Sequence, residues 1–188
     1  LKEAFSIEGL SKSPAIFDET KLRWMNAEYI RKLSPEEYIR HAEPYLEAAG
    51  CGHMDKSIFA RILQPRTEVF TDITETVAFL AKMDEDYSVD LYTNKKSKTN
   101  PELCRDILAA VIPELEALPE WTETALHDFL MNYAAEHGMK NGTLLWPVRI
   151  AMSGKTVTPG GAIEIAALLG REEALRRLHH GLDKLNNM

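Results

Sequence analysis

Two arginines stand beside expected helix ends, where a guanidinium offers a fork of donors to a phosphate or to acceptors on a base edge. Arg149 precedes Thr158 by nine residues. Between them, Gly154 is expected to stop one helical run and Thr158 to cap the next, with Pro159 at its first helical position. Free backbone N–H groups at that second start would add donors to the corner at 154–159. Arg66 follows Pro65 in Gln64-Pro65-Arg66-Thr67, a second helix boundary. Basic clusters at Lys95-Lys96-Ser97-Lys98, at Arg149 with Lys155, and at Arg171, Arg176 and Arg177 could each form a local strip against phosphate.

Other chemistry is scarce. The sequence has no Gly-rich phosphate loop, no Gly-x-Ser-x-Gly elbow and no His-Glu-x-x-His helix. Glu36 with Glu37 and Glu172 with Glu173 are paired carboxylates, but each pair falls in the first turn of an expected helix, where the macrodipole accounts for it. Cys51 and Cys104 are far apart without a partner motif, which points to a reducing compartment and so to the cytoplasm. Cys51-Gly52-His53 has no second ligand pair at zinc spacing, so no metal site is expected. The net charge of −7 argues against indiscriminate nucleic-acid binding and against DNA as a partner, while leaving room for local basic strips. No apolar run approaches the ~20 residues of a membrane span.

The elements that must position the arginines read as helices throughout. Asp18 caps a run carrying Leu22, Met25, Tyr29, Ile30 and Leu33 on one face. Ser34-Pro35-Glu36-Glu37 gives a capping box with proline at the first helical position. The following helix reaches Gly50, and Pro44 is expected to kink or divide it. From Asp55 the period runs through Ile58, Ile62 and Leu63, breaks at Pro65, and resumes from Val69 to Leu80. Residues 84–100 read as a loop. Asn100-Pro101 opens a helix in which Pro113 is expected to mark a kink or restart, and Thr122 caps another that ends at Gly138. Leu144, Leu145, Val148, Ala151 and Met152 then share a face, as do Ala162, Ile163, Ala166, Leu168 and Leu169, with Gly170 as the expected close. Residues 1–17 read as irregular apart from a short helix before Ile7. No stretch alternates as a strand, so the fold class is all-α, a helical bundle or cage of about eight to ten helices in two subdomains.

Pro147-Val148-Arg149-Ile150-Ala151-Met152-Ser153-Gly154, then Thr158-Pro159-Gly160, Leu168-Leu169-Gly170-Arg171-Glu172 and Leu175-Arg176-Arg177-Leu178, together resemble the C-terminal end of bacterial glutamyl-tRNA synthetases. Ser11-Lys12-Ser13-Pro14-Ala15-Ile16-Phe17-Asp18, Lys21-Leu22-Arg23-Trp24-Met25-Asn26 and Tyr29-Ile30 resemble the segment joining that family's catalytic region to its anticodon-binding region. Leu10-Ser11-Lys12-Ser13 imitates the family's ATP-steadying Lys-Met-Ser-Lys-Ser loop but follows the place where the true loop ends. With Leu1 in place of Met, the resemblance implies a fragment of a longer protein.

The resemblance implies recognition without catalysis: no catalytic residue and no cofactor in this fragment, with ATP and Mg²⁺ used by a missing upstream region that charges tRNA(Glu). By position, Arg66, Arg149, Thr158, Pro159 and Gly161 match family contacts to the anticodon, with Trp146 beside Arg149 as a stacking face. Arg66 matches an arginine associated with reading the third anticodon base as cytosine. At 161, relatives commonly present an apolar side chain; at Met131, some carry arginine. Lys95, Lys96, Lys98 and Lys155 are candidate contacts to the tRNA backbone. The expected organisation is a linker and joining helix over 1–33, one helical anticodon-binding subdomain over 34–118 and a second over 119–188, in a monomer. The rival expectation is a helical protein-interaction module without RNA specificity.

Overall fold

The computed structural model describes residues 18–188; the expectations for residues 1–17 lie outside the described residues. Among the described residues eight α-helices follow one another: α1 (Glu19–Ile30), α2 (Pro35–Ala48), α3 (Lys56–Leu63), α4 (Ile73–Ala81), α5 (Pro101–Glu116), α6 (Glu123–Glu136), α7 (Asn141–Ser153) and α8 (Ala162–Asn186). Short 3-10 turns occupy Gln64–Arg66, Phe70–Asp72 and Val89–Tyr92. Among the described residues there is no strand, only an isolated bridge between Asn94 and Thr99. The chain is all-α, as its periodicity predicts.

Local signals set most helix starts. Asp18 accepts from the Lys21 N–H, and Asp55 from those of Ser57 and Ile58. Ser34 and Glu37 complete a reciprocal capping box. Asn100 and Thr122 cap α5 and α6. Such side chains satisfy N–H groups that have no partner within the helix. Pro44 and Pro113 do not divide their helices: α2 and α5 each run past their proline as one helix. Both prolines are exposed, so the carbonyl that loses its N–H partner faces water instead of the core.

The corner after α7 departs from expectation at one end. Gly154 does end α7, in the left-handed conformation (φ 62°) that a Cβ disfavours. Thr158 is not the next N-cap, however, and Pro159 is not the first residue of the next helix. Helix α8 begins at Ala162, and the Gly161 N–H donates to Glu164 Oε2 at 2.9 Å. A carboxylate inside the first turn thus does the work expected of Thr158, whose hydroxyl donates to the Gly160 carbonyl at 2.7 Å. Gly170 does close the run that starts at Ala162, as expected, although a second run follows so directly that the two make one long kinked helix. The φ of 74° and ψ of 168° at Gly170 break α8 locally, and the helix resumes at once.

Helix α2 packs on α3 and α4, while α5, α6 and α7 pack around α8. A continuous apolar core joins the two groups, with Tyr38, Leu46 and Phe59 on one side and Leu108, Leu126, Leu144 and Leu178 on the other. Arg177, 1% exposed, bolts the groups together. Its guanidinium donates to the carbonyls of Phe79 and Leu80 in the last turn of α4, to that of Met152 in the last turn of α7, and to Glu173 on its own helix. A cation on the negative ends of two helices is favoured by their dipoles as well as by the hydrogen bonds. Arg176 and Arg177 hold the Glu173 carboxyl down to about 2.

Helices α7 and α8 cross closely at Gly181. A Cβ there would stand 2.7 Å from the Ala151 Cβ and 2.6 Å from the Tyr92 hydroxyl, closer than real contacts allow. Alanine would gain about 1 kcal/mol of helix propensity, but forcing these helices apart costs more. Gly181→Ala is therefore expected to destabilise the protein by roughly 1–3 kcal/mol net, read as a lower urea midpoint at unchanged slope.

Candidate nucleic-acid interface

Arg66 reaches the surface through a chain of buried anchors. The 3-10 turn carrying it follows α3. Gln64 Nε2 donates to the carbonyls of Ile30 (3.1 Å) and Leu33 (2.8 Å) at the end of α1. Thr67 next door is buried, bonded to the Leu63 carbonyl at 2.9 Å and to the Tyr38 hydroxyl at 2.8 Å. With both neighbours fixed, Arg66 Nη1 donates to the Ile62 carbonyl (3.0 Å) and across to the Pro159 carbonyl (2.6 Å). Residues 93 apart in the chain thus form one contact across the groove.

Arg149, in the last turns of α7, is held from the other side. Its Nη2 donates to the Thr156 carbonyl at 2.9 Å, and its guanidinium carbon lies 4.7 Å from the centre of the Trp146 ring. Trp146 is fixed in turn by its indole N–H on the Leu91 carbonyl (3.1 Å). Burial pulls the Arg149 guanidinium below its ordinary range, with no carboxylate opposing the shift. Stacking on the indole offsets part of that desolvation.

Arg66, Arg149, Thr158, Pro159 and Gly161 come together around one groove of about 350 Å³, completed by Arg61, Ile62, Gly160 and Glu164. Five of the residues singled out from sequence therefore share a surface, and Trp146 supports Arg149 without lining the groove itself. Lys155 lies apart from that groove and lines an adjoining one of about 560 Å³ with Arg66, Thr158, Pro159 and Val157. Lys95, Lys96 and Lys98 stand elsewhere, beside the opposite end of α7, where Thr143 Oγ1 bonds the Ser97 carbonyl at 2.8 Å. The expected backbone donors after Pro159 are displaced to the start of α8 at Gly161 and Ala162.

The ion pairs separate structural from available cations. Arg61 pairs with Glu123 and Glu164, and Arg23 with Glu68 and Asp72. Arg66 and Arg149 have only carbonyl and ring partners among the described residues, which leave their positive charge uncompensated. The expected strip at Arg171, Arg176 and Arg177 does not form. Arg171 caps the end of α5 through the carbonyls of Glu116 and Leu118, Arg176 pairs with Glu173 and Glu85, and Arg177 is buried. Their spacing follows helix–helix contacts, not a ligand.

Arg61 and Glu164 are groove residues that sequence reasoning misses. Glu164 carries a signal, since a glutamate three residues after a helix-starting glycine is half of a capping box. Arg61 lies on the exposed face of α3 and carries none. Cys51 and Cys104 are separately buried free thiols. Burial raises both, Cys104 to about 12, so neither is a ready nucleophile.

A guanidinium-lined groove built from loop and helix-end residues on an all-helical body has the donors that the open base edges of a single-stranded loop could meet. The family described as "Anticodon binding domain" matches residues 20–182. The chain belongs to that family. It is 42% identical over 182 residues to a glutamate–tRNA ligase of Clostridium acetobutylicum, covering 96% of this chain and 37% of that protein. A glutamate–tRNA ligase of Clostridium botulinum strain Hall is 45% identical over 185 residues, covering 98% of this chain and 38% of its own length. The chain thus spans under two-fifths of the curated relatives it matches. Its fold is that of part of the glutamate–tRNA synthetase structure from Elizabethkingia anophelis, with a TM-score of 0.72 at 17% identity over 95% of this chain and 34% of that one. The family match leaves the protein-interaction module without support.

Proposed function

We propose that this chain reads the anticodon loop of tRNA(Glu) as part of a longer, monomeric, cytoplasmic glutamate–tRNA ligase. The convergence of Arg66, Arg149, Thr158, Pro159 and Gly161 on one groove supports this reading. In it the groove holds an unstacked base, Arg66 donates to acceptors on its edge, and the Arg149 fork meets a second base or the phosphate beside it. The remaining part of the polypeptide would bind ATP and Mg²⁺ and charge the tRNA. No helix among the described residues is long and apolar enough to cross a membrane. Subdomains at 34–118 and 119–188 are part of the proposal; the packing of α5 against α7 and α8 supports drawing the boundary earlier, before Pro101.

The test is binding of the chain to tRNA(Glu) and to the same tRNA with its third anticodon base changed from cytosine to guanine. Preference for cytosine is expected, and Arg66→Gln should reduce it by about tenfold or more, since one good base contact is worth about 1–3 kcal/mol. Equal affinity for the two tRNAs in the unaltered chain would overturn the reading.

A further inference from the structure

Lys95, Lys96 and Lys98 belong to a turn closed by reciprocal hydrogen bonds between the Asn94 and Thr99 backbones, both 3.1 Å. The Ser97 N–H is tied back to Asn94 Oδ1 at 2.8 Å. The turn lies on the start of α7, where Thr143 Oγ1 bonds the Ser97 carbonyl and a Cβ on Gly142 would touch Ser97 Oγ at 3.6 Å. Lys140, the residue preceding α7, therefore joins the same cluster. All four lysines are exposed, and none forms an ion pair among the described residues. Helix α7 also starts without a side-chain cap, adding the positive end of its dipole.

This cluster is connected to the groove by a ridge of α7. Thr143, Trp146 and Arg149 recur every three residues and so form a ridge of neighbours that winds along the helix. The segment from Leu91 to Ser97 runs beside that ridge, bonded at Trp146 and at Thr143. The lysines and the groove occupy the two ends of α7, ~20 Å apart at 1.5 Å per residue. In a chain of net charge −7, an unpaired basic cluster on the same helix as the groove is a local exception to the prevailing field.

We infer that Lys95, Lys96, Lys98 and Lys140 form a phosphate-binding end to the interface, holding RNA backbone that continues along α7 from the base seated in the groove. The inference rests on the anticodon reading and deepens it. Phosphate contacts orient without carrying sequence information, so this end supplies affinity and direction while Arg66 and its neighbours supply discrimination.

The experiment compares Lys95→Gln/Lys96→Gln/Lys140→Gln with Lys21→Gln/Lys32→Gln/Lys82→Gln, which makes the same change in net charge on other surfaces. Lys98 is left in place because its φ of 56° could alter the turn on substitution. Binding to tRNA(Glu) and to its third-base variant is measured across a salt series, with urea unfolding as the check on folding. The cluster variant should make the slope of log K against log[salt] shallower by about 0.7–0.9 for each phosphate that a lysine no longer neutralises, and weaken both tRNAs by the same factor. The comparison variant should keep the original slope. An unchanged slope in the cluster variant, or an equal fall in both variants, would overturn the inference while leaving base preference standing. Absence of any tRNA binding by the unaltered chain at low salt would bring down the anticodon reading and this inference with it.

Discussion

Replacing Arg177 with alanine is expected to lower the free energy of unfolding by about 3–5 kcal/mol, in the range for removing one partner of a buried charged network. Three carbonyls, those of Phe79, Leu80 and Met152, would lose their guanidinium donors inside the protein. Glu173 would lose its shortest arginine partner, at 2.6 Å. Arg177→Lys should recover only part of the loss, because an ammonium cannot span the ends of α4 and α7 with the same planar fork. The neighbouring Arg176 provides the contrast. It is paired with Glu173 and Glu85 on an exposed surface, so Arg176→Ala should cost under about 1 kcal/mol. Urea or thermal unfolding of the variants checks both expectations, and similar losses at 176 and 177 would refute the assignment of Arg177 as the bolt between helix groups.

For Arg149→Ala, the expected result is a loss of about 1–3 kcal/mol in tRNA binding with little change in unfolding. The guanidinium is already partly desolvated and stacked on Trp146, and only one hydrogen bond, to the Thr156 carbonyl, opposes its use by a ligand. Arg149→Lys should restore charge without the two-pronged geometry and so recover affinity incompletely. Filter binding or calorimetry against tRNA(Glu), beside a denaturation curve, separates the two effects. Unchanged affinity with reduced stability would make Arg149 a brace for residues 154–161 and nothing more.

Signals confined to a few residues are legible in the chain without its fold. Asp18, Ser34, Asn100 and Thr122 cap helices because each must satisfy N–H groups within three residues of itself, and Gly154 ends α7 for an equally local steric reason. Thr158 misleads because its rival is also local but stronger: Glu164 can cap the turn from within, leaving Thr158 to bond Gly160. The three C-terminal arginines mislead for a different reason. Whether Arg171, Arg176 and Arg177 meet solvent depends on where α4, α5 and α7 end in space, which no sequence period encodes. Arg66 and Arg149 are legible as arginines at helix ends, and the resemblance supplies their association. Their meeting at one groove depends on a fold that brings the 64–66 turn against the 155–161 loop, and the same fold brings in Arg61, which no local pattern ties to that loop.

The bond from Arg66 to the Pro159 carbonyl has a kinetic consequence. A free arginine on a surface samples many rotamers, and fixing one costs about 1.5–2 kcal/mol of entropy on a typical scale. Here the two carbonyls at Ile62 and Pro159 have already selected one orientation before any RNA arrives. Discrimination at this groove should then resemble a key entering a set lock: a matching base would settle without waiting for the side chain to search, and a mismatched one would leave quickly because the fork cannot swing to accommodate it.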